Sequence, residues 1–272
     1  LRKTYVVACC ALVFALSACT SEPPPTGHLT PAGAGPAGYG LFHDVSTLAA
    51  VAGVAVEGKP CKFTMDATAD GKSLKESGQG EFDGVKTEIS LKVLLDDQQI
   101  ELLMIDTGMY MKLPPGSPKS GPIAWLRIPT DGSGSADAKA FSDSEIQLTN
   151  QEDPVKLLAR IGKAGSISHA ERTTLAGRPV GHYTISLAFA RMLDDYPVSA
   201  DAKRSVIAAD IHFVLDLWVD SGEHPVRAML DATSLAKIGG SSTPAKMTVD
   251  YTDWDTPVSV QTPPADQVGD FH

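Results

Sequence analysis

The tetrapeptide Leu16-Ser17-Ala18-Cys19 has the residue types and spacing from which a covalent modification is expected. It resembles a lipobox, in which small residues lead to a cysteine directly behind an apolar run. Arg2 and Lys3 supply a positive n-region, and the 12 residues from Tyr5 to Leu16 form an apolar h-region too short to cross a bilayer as a helix. Such a signal is expected to be cut after Ala18, leaving a thioether-linked diacylglycerol on Cys19 and often an acyl chain on the freed amine. Two or more acyl chains give the stable hold that a single chain cannot. The expectation is a signal peptide over 1–18 and an anchor at Cys19 that keeps the protein on the extracytoplasmic face of the cell membrane. The plainer alternative is a chance cysteine in an ordinary signal peptide. Leu1 in place of Met fits a non-AUG start codon read literally, and a trimmed chain would look the same.

Other reactive side chains do not assemble into a recognisable constellation. With Cys9 and Cys10 inside the signal and Cys19 acylated, Cys61 is the one thiol left, so neither a disulfide nor a redox Cys-x-x-Cys can form. Cys61 opens an alternating apolar segment and reads as a small buried hydrophobe. Gly132-Ser133-Gly134-Ser135-Ala136 carries Gly where a nucleophile elbow needs Ser, and it lies in a polar loop. His28, His43, His169, His182, His212, His224 and His272 form no His-x-x-x-His pair, and Glu223-His224 has no second ligand at motif spacing. His182 and His212 fall on polar strand faces, where solvent exposure is expected. Asp96-Asp97, Asp131 and Asp194-Asp195 are turn or cap acids by position; calcium loops and phosphate-cradling glycine loops are absent. Trp125, Trp218 and Trp254 could stack on a sugar or plug the ends of a sheet, and packing is the favoured reading. The chain is therefore expected not to be an enzyme, and to hold neither a metal nor a cofactor.

The chain carries 23 basic and 33 acidic residues, a net charge of −10 that becomes −12 once Arg2 and Lys3 are lost. That balance argues against nucleic acid as a partner and against a polybasic hold on anionic lipid. Residues 20–40 contain five Pro and five Gly with almost no apolar side chains. Such a stretch cannot bury enough surface to offset the entropy of ordering. Together with Cys19 it makes a tether over 19–40, reaching roughly 25 Å as a flexible coil. Residues 41–272 then suffice for one domain with a large core or a large cavity.

The elements that would position any site are mostly strands. Lys62 to Ala69 alternates with Phe63, Met65 and Ala67 on one side. Val85, Ile89, Leu91 and Val93 face one way while Lys86, Glu88, Ser90 and Lys92 face the other. Asp96-Asp97 turns into Ile100, Leu102 and Met104, and Asp106-Thr107-Gly108 turns again into Met109, Met111 and Leu113. The pattern resumes with Tyr183, Ile185 and Leu187, then Ile211 to Val219, then Val226, Ala228 and Leu230, then Met247, Val249 and Tyr251. Most of these have a polar opposite face, as a sheet with one side in water requires. Helices are expected over Leu41 to Val51, over 188–193, over 199–209 around a Tyr196-Pro197 break, and after Asp153-Pro154. The last has an N-cap acid, Pro at its first position, apolar Val155, Leu157, Leu158 and Ile161, and Gly162 and Gly165 as stops. Glycine and serine mark loops at 116–121 and 131–135.

In order and spacing, several segments resemble the actinobacterial LppX/LprG lipoprotein family, whose fold is similar to that of the LolA lipoprotein carriers. They are Gly108 to Pro114, Trp125 to Ile128, the Asp153-Pro154 helix, the Gly177 to Tyr183 hairpin, the Trp218-Val219-Asp220 to Pro225-Val226-Arg227 turn and the tail Tyr251 to Val268. The resemblance implies an α+β fold: a strongly curved antiparallel half-barrel sheet with helices covering its concave side. It also implies a hydrophobic cavity for an acylated lipid or glycolipid, carried as cargo between the membrane and outer envelope layers with the help of an envelope transporter protein. On that basis Leu91, Val93, Leu102, Met104, Met109, Met111, Ile185, Leu187, Phe213, Leu215, Leu217 and Leu230 are expected to line the cavity. Periodicity alone leaves a closed core equally open. A sensor or scaffold lipoprotein of the same shape, binding an envelope protein, is the rival expectation.

Overall fold

The structure, a computed structural model, describes residues 40–69, 71–82, 87–95, 98–105, 108–114, 123–130, 133–195, 200–234 and 243–271. The signal segment, Cys19 and the tether up to residue 39 lie outside the described residues. So do Val85, Lys86, Asp96-Asp97, Asp106-Thr107, residues 116–121, Asp131-Gly132, Tyr196-Pro197, His28 and His272.

Strands β1 (Lys59–Ala69), β2 (Lys72–Phe82), β3 (Thr87–Leu95), β4 (Gln98–Ile105), β5 (Gly108–Lys112) and β6 (Trp125–Ile128) precede the main helices. Strands β7 (Gly165–Leu175), β8 (Arg178–Ala188), β9 (His212–Val219), β10 (Pro225–Asp231), β11 (Lys246–Thr252) and β12 (Val268–Asp270) follow them. All belong to one sheet in the order β12-β6-β5-β4-β3-β2-β1-β11-β10-β9-β8-β7. Its neighbours are antiparallel except for β12, which joins β6 in parallel. The sheet is curved and unclosed, with β7 at one edge and β12 at the other.

Strand register lines the apolar alternations up across the sheet. Leu217, Ala228, Val249, Met65, Glu76, Val93 and Ile100 stand opposite one another from β9 to β4. The next inward row runs Tyr251, Phe63, Gly78, Leu91, Leu102, Met111 and Leu126. β2 escaped the period-two reading because its inward positions include Glu76, Gly78 and Gly80. The glycines have a packing reason: a Cβ on Gly78 would come within 2.5 Å of the Phe63 ring, and one on Gly80 within 2.6 Å of the Glu88 carbonyl.

Helices cover the concave face. α1 (Val45–Val56) begins four residues later than expected, because Asp44 caps it by accepting from the Thr47 N–H at 2.7 Å. Its inward stripe is accordingly Leu48, Ala52 and Val56. α2 (Ala136–Glu152) was not expected from the sequence; Ser135 caps it. α3 (Pro154–Ala164) starts where Asp153 and Pro154 predict, with the Asp153 carboxylate accepting from the Val155 and Lys156 N–H groups. It runs through Gly162 and stops at Gly165. A 3-10 helix (Phe189–Asp195) and α4 (Ala200–Ala209) complete the cover near β8 and β9.

Candidate functional site

The buried side chains fall into two large clusters. One joins α1, α3 and the 3-10 helix to β8, β9 and β10, and the other lies on β1, β2, β3, β4 and β11. Val155 and Trp254 touch both. At their seam is a cavity of about 60 Å³. Its roof is Leu157, Arg160 and Ile161 of α3, whose i, i+3, i+4 spacing puts them on one face. Met192 closes one side. The floor comes from Leu187, Phe213, Leu215, Ala228 and Leu230, with Met247 and Val249 contributed by the second cluster.

Of the residues named as lining, Leu187, Phe213, Leu215 and Leu230 share this cavity. Ile185 and Leu217 are fully buried in the first core cluster beside it. Leu91, Val93 and Leu102 belong to the second cluster. Met109 packs with Ile128 and Ala138 in a smaller third group, and the half-buried Met104 and Met111 bridge the second and third. One cavity does not join all twelve. Arg160 and Met192 were not singled out from the sequence, and Met247 was named there only as part of an alternating strand. The helical spacing around Leu157 and Ile161 was the signal that could have found Arg160.

A second constellation lies under α2. Its inward stripe is Ala138, Ser142, Glu145, Thr149 and Glu152, all buried. Opposite Glu152 stands Glu76, inward on β2 between Met65 and Val93. The two carboxyl groups lie close enough to act on each other, and none of their four oxygens has a hydrogen-bond partner among the described residues. Burial, then the nearby Glu76 charge, holds Glu152 well above the usual carboxylate range, and burial raises Glu76 too. Both shifts favour the protonated form, and that of Glu152 is the larger. The fully buried Tyr251 hydroxyl donates to the Glu152 carbonyl oxygen at 2.8 Å.

Cys61 is buried, and burial followed by the Asp153 charge pushes its thiol up to about 12. It stays a thiol at neutral pH and is no nucleophile. Among the described residues no group of three or more His, Cys, Asp or Glu side chains is arranged to hold a metal. No helix among them is long and apolar enough to cross a membrane.

The outer face corrects one expectation. His212 is exposed, but the His182 side chain is only 17% exposed. Register sets Glu171, His182 and Trp218 side by side on β7, β8 and β9. The imidazole stacks on Trp218 at 4.4 Å and lies between Asp216 at 2.9 Å and Glu171 at 3.3 Å. Trp254 serves packing, with its indole N–H donating to the Pro225 carbonyl at 2.9 Å. Trp125 is half-buried beneath the Lys112 ammonium.

No family model matches the chain, and none of the curated proteins does. Solved structures similar to it include LprF from Mycobacterium bovis, at 12% identity and a TM-score of 0.49 over 80% of this chain and 96% of that one. Another is the Mycobacterium tuberculosis lipoprotein LppX, at 13% identity and a TM-score of 0.45 over 80% and 98%. A third is MucB in complex with MucA, at 12% identity and a TM-score of 0.40 over 82% and 61%.

Proposed function

We propose that the chain is an envelope lipoprotein, anchored through Cys19 on the extracytoplasmic face of the cell membrane. In this reading it binds an acylated lipid or glycolipid between sheet and helices and carries it toward outer envelope layers, without being an enzyme. The observation that supports it is the apolar seam cavity, which opens between two clusters that are themselves apolar across the concave face. A lipid leaves a bilayer only for an equally apolar place: one sixteen-carbon chain represents about 12 kcal/mol of burial. The cavity of about 60 Å³ is smaller than the roughly 150 Å³ void that takes up benzene. Uptake of a whole chain thus requires the seam to widen, with helices moving off the sheet.

The small cavity equally favours the second reading, a sensor or scaffold lipoprotein whose closed core supports a surface for an envelope protein. Native mass spectrometry of the chain purified from a native-like host, followed by lipid extraction, separates the two. Bound lipid and uptake of a fluorescent acyl probe are expected; an empty protein that takes up no probe would replace the carrier reading with the second one. For the anchor, Cys19→Ala is expected to release soluble protein or leave an uncleaved precursor without an acyl chain. Incorporation of labelled fatty acid by that variant would overturn it.

A further inference from the structure

Arg160 is the one charged residue among those lining the seam cavity, and the other walls are hydrocarbon or thioether. Its side chain is half-buried. Among the described residues the guanidinium has no hydrogen-bond or ion-pair partner.

The acids nearest to it in sequence are already engaged. Asp153 accepts from two backbone N–H groups and lies 3.4 Å from the Lys156 ammonium. Glu152 is held with Glu76. A guanidinium drawn against apolar walls loses solvation, and that loss is recovered when an oxyanion meets its planar fork of N–H donors. An apolar pocket with one convergent polar group is also the usual composition of a small-molecule site, where the polar group fixes orientation.

We propose that Arg160 receives the anionic end of the bound lipid, a carboxylate or phosphate on an acyl chain, whose leading methylenes enter the seam between α3 and β8, β9, β10 and β11. This rests on the lipid-binding reading above and adds the charge and polarity of the ligand. The chain makes room chiefly by turning Met192 and Met247, whose unbranched side chains repack at low cost. The headgroup stays at Arg160, so the chain enters tail-inward with its charge fixed under α3.

The test measures binding of three fluorescent sixteen-carbon probes to the full chain: a free carboxylate, its methyl ester and a monoacyl phosphate. Wild type is expected to prefer both charged probes over the ester by about tenfold or more. In Arg160→Gln that ratio should fall toward one, with Arg160→Lys intermediate because it keeps the charge and loses the fork. A thermal melt checks that each variant is folded, and the wild-type ratio needs no variant at all. Probes that bind wild type without preference, or a ratio unchanged in Arg160→Gln, would overturn the role of Arg160 and leave the lipid-binding reading standing. Displacement of the carboxylate probe by inorganic phosphate at comparable concentration would show a site for free anions and overturn the acyl part of the proposal. Binding of none of the probes would overturn the proposal together with the reading it rests on.

Discussion

The two halves of the concave face have similar floors and opposite roofs. Beneath α1 and α3, the strands β8, β9 and β10 meet Leu48, Ala52, Val56, Leu157, Leu158 and Ile161, so apolar surface closes on apolar surface. Beneath α2, the strands β1 to β5 present Phe63, Met65, Leu91, Leu102 and Met109, and the helix meets them with Ala138, Phe141 and Ile146 but also buries Ser142, Glu145, Thr149 and Glu152. Contacts there include the Thr149 hydroxyl on the Met104 sulfur at 3.1 Å. A polar roof on an apolar floor gains less from burial for each turn of helix. The difference makes α2 the more polar of the two covers.

The largest effect is expected where a charge enters the floor beneath α2. Leu91 lies inward between Gly78 and Leu102, whereas its neighbour Lys92 faces water. Leu91→Asp should cost several kcal/mol, about 4, and Lys92→Asp about 0.5 kcal/mol or less. Equal melting temperatures for the two would break the register on which the comparison stands.

Truncating the two roofs sharpens it. Leu158→Ala in α3 should cost about 3 kcal/mol, since a fully buried leucine leaves a cavity. Thr149→Ala in α2 should cost about 1 kcal/mol or less, because little apolar contact is lost. Urea midpoints on both variants decide this, and similar losses would mean that α2 is held as firmly as α3.

The last effect depends on pH. With its folded pKa raised above the usual 4.5, Glu152 binds its proton more tightly in the folded state than in the unfolded chain. The stability from that proton is complete below the ordinary glutamate value and is lost as pH rises toward the raised folded value. Glu76 shifts in the same direction. Glu152→Gln keeps a donor without titrating, so it should flatten this decline and be more stable than wild type at about pH 8 by about 1–3 kcal/mol. Melts at about pH 5 and about pH 8 read it out, and a parallel decline in both proteins would place the titration elsewhere.

What could be read in advance follows the same division. β1, β3, β4, β5, β8, β9, β10 and β11 were legible because alternating Phe63 and Met65, or Leu215 and Leu217, leave a period of two. α3 was legible because Asp153, Pro154 and its apolar stripe agree. α2 was not: Ser142, Glu145, Thr149 and Glu152, which it buries, are side chains that a periodicity reading assigns to water. Of the cavity, the strand residues Leu187, Phe213, Leu215 and Leu230 were named beforehand, but Arg160 was not, since a charged residue between apolar helical positions reads as a solvated one.

By itself the sequence determined which side chains point the same way along each strand and where α3 begins, because these depend on neighbours a few residues apart. Only the tertiary structure decided that Glu76 meets Glu152, that Phe63 occupies the space a side chain at Gly78 would need, and that Arg160 closes an apolar seam with strands 27 to 89 residues away in sequence. Those pairings depend on strand register and helix placement, and no local pattern of residue types encodes them.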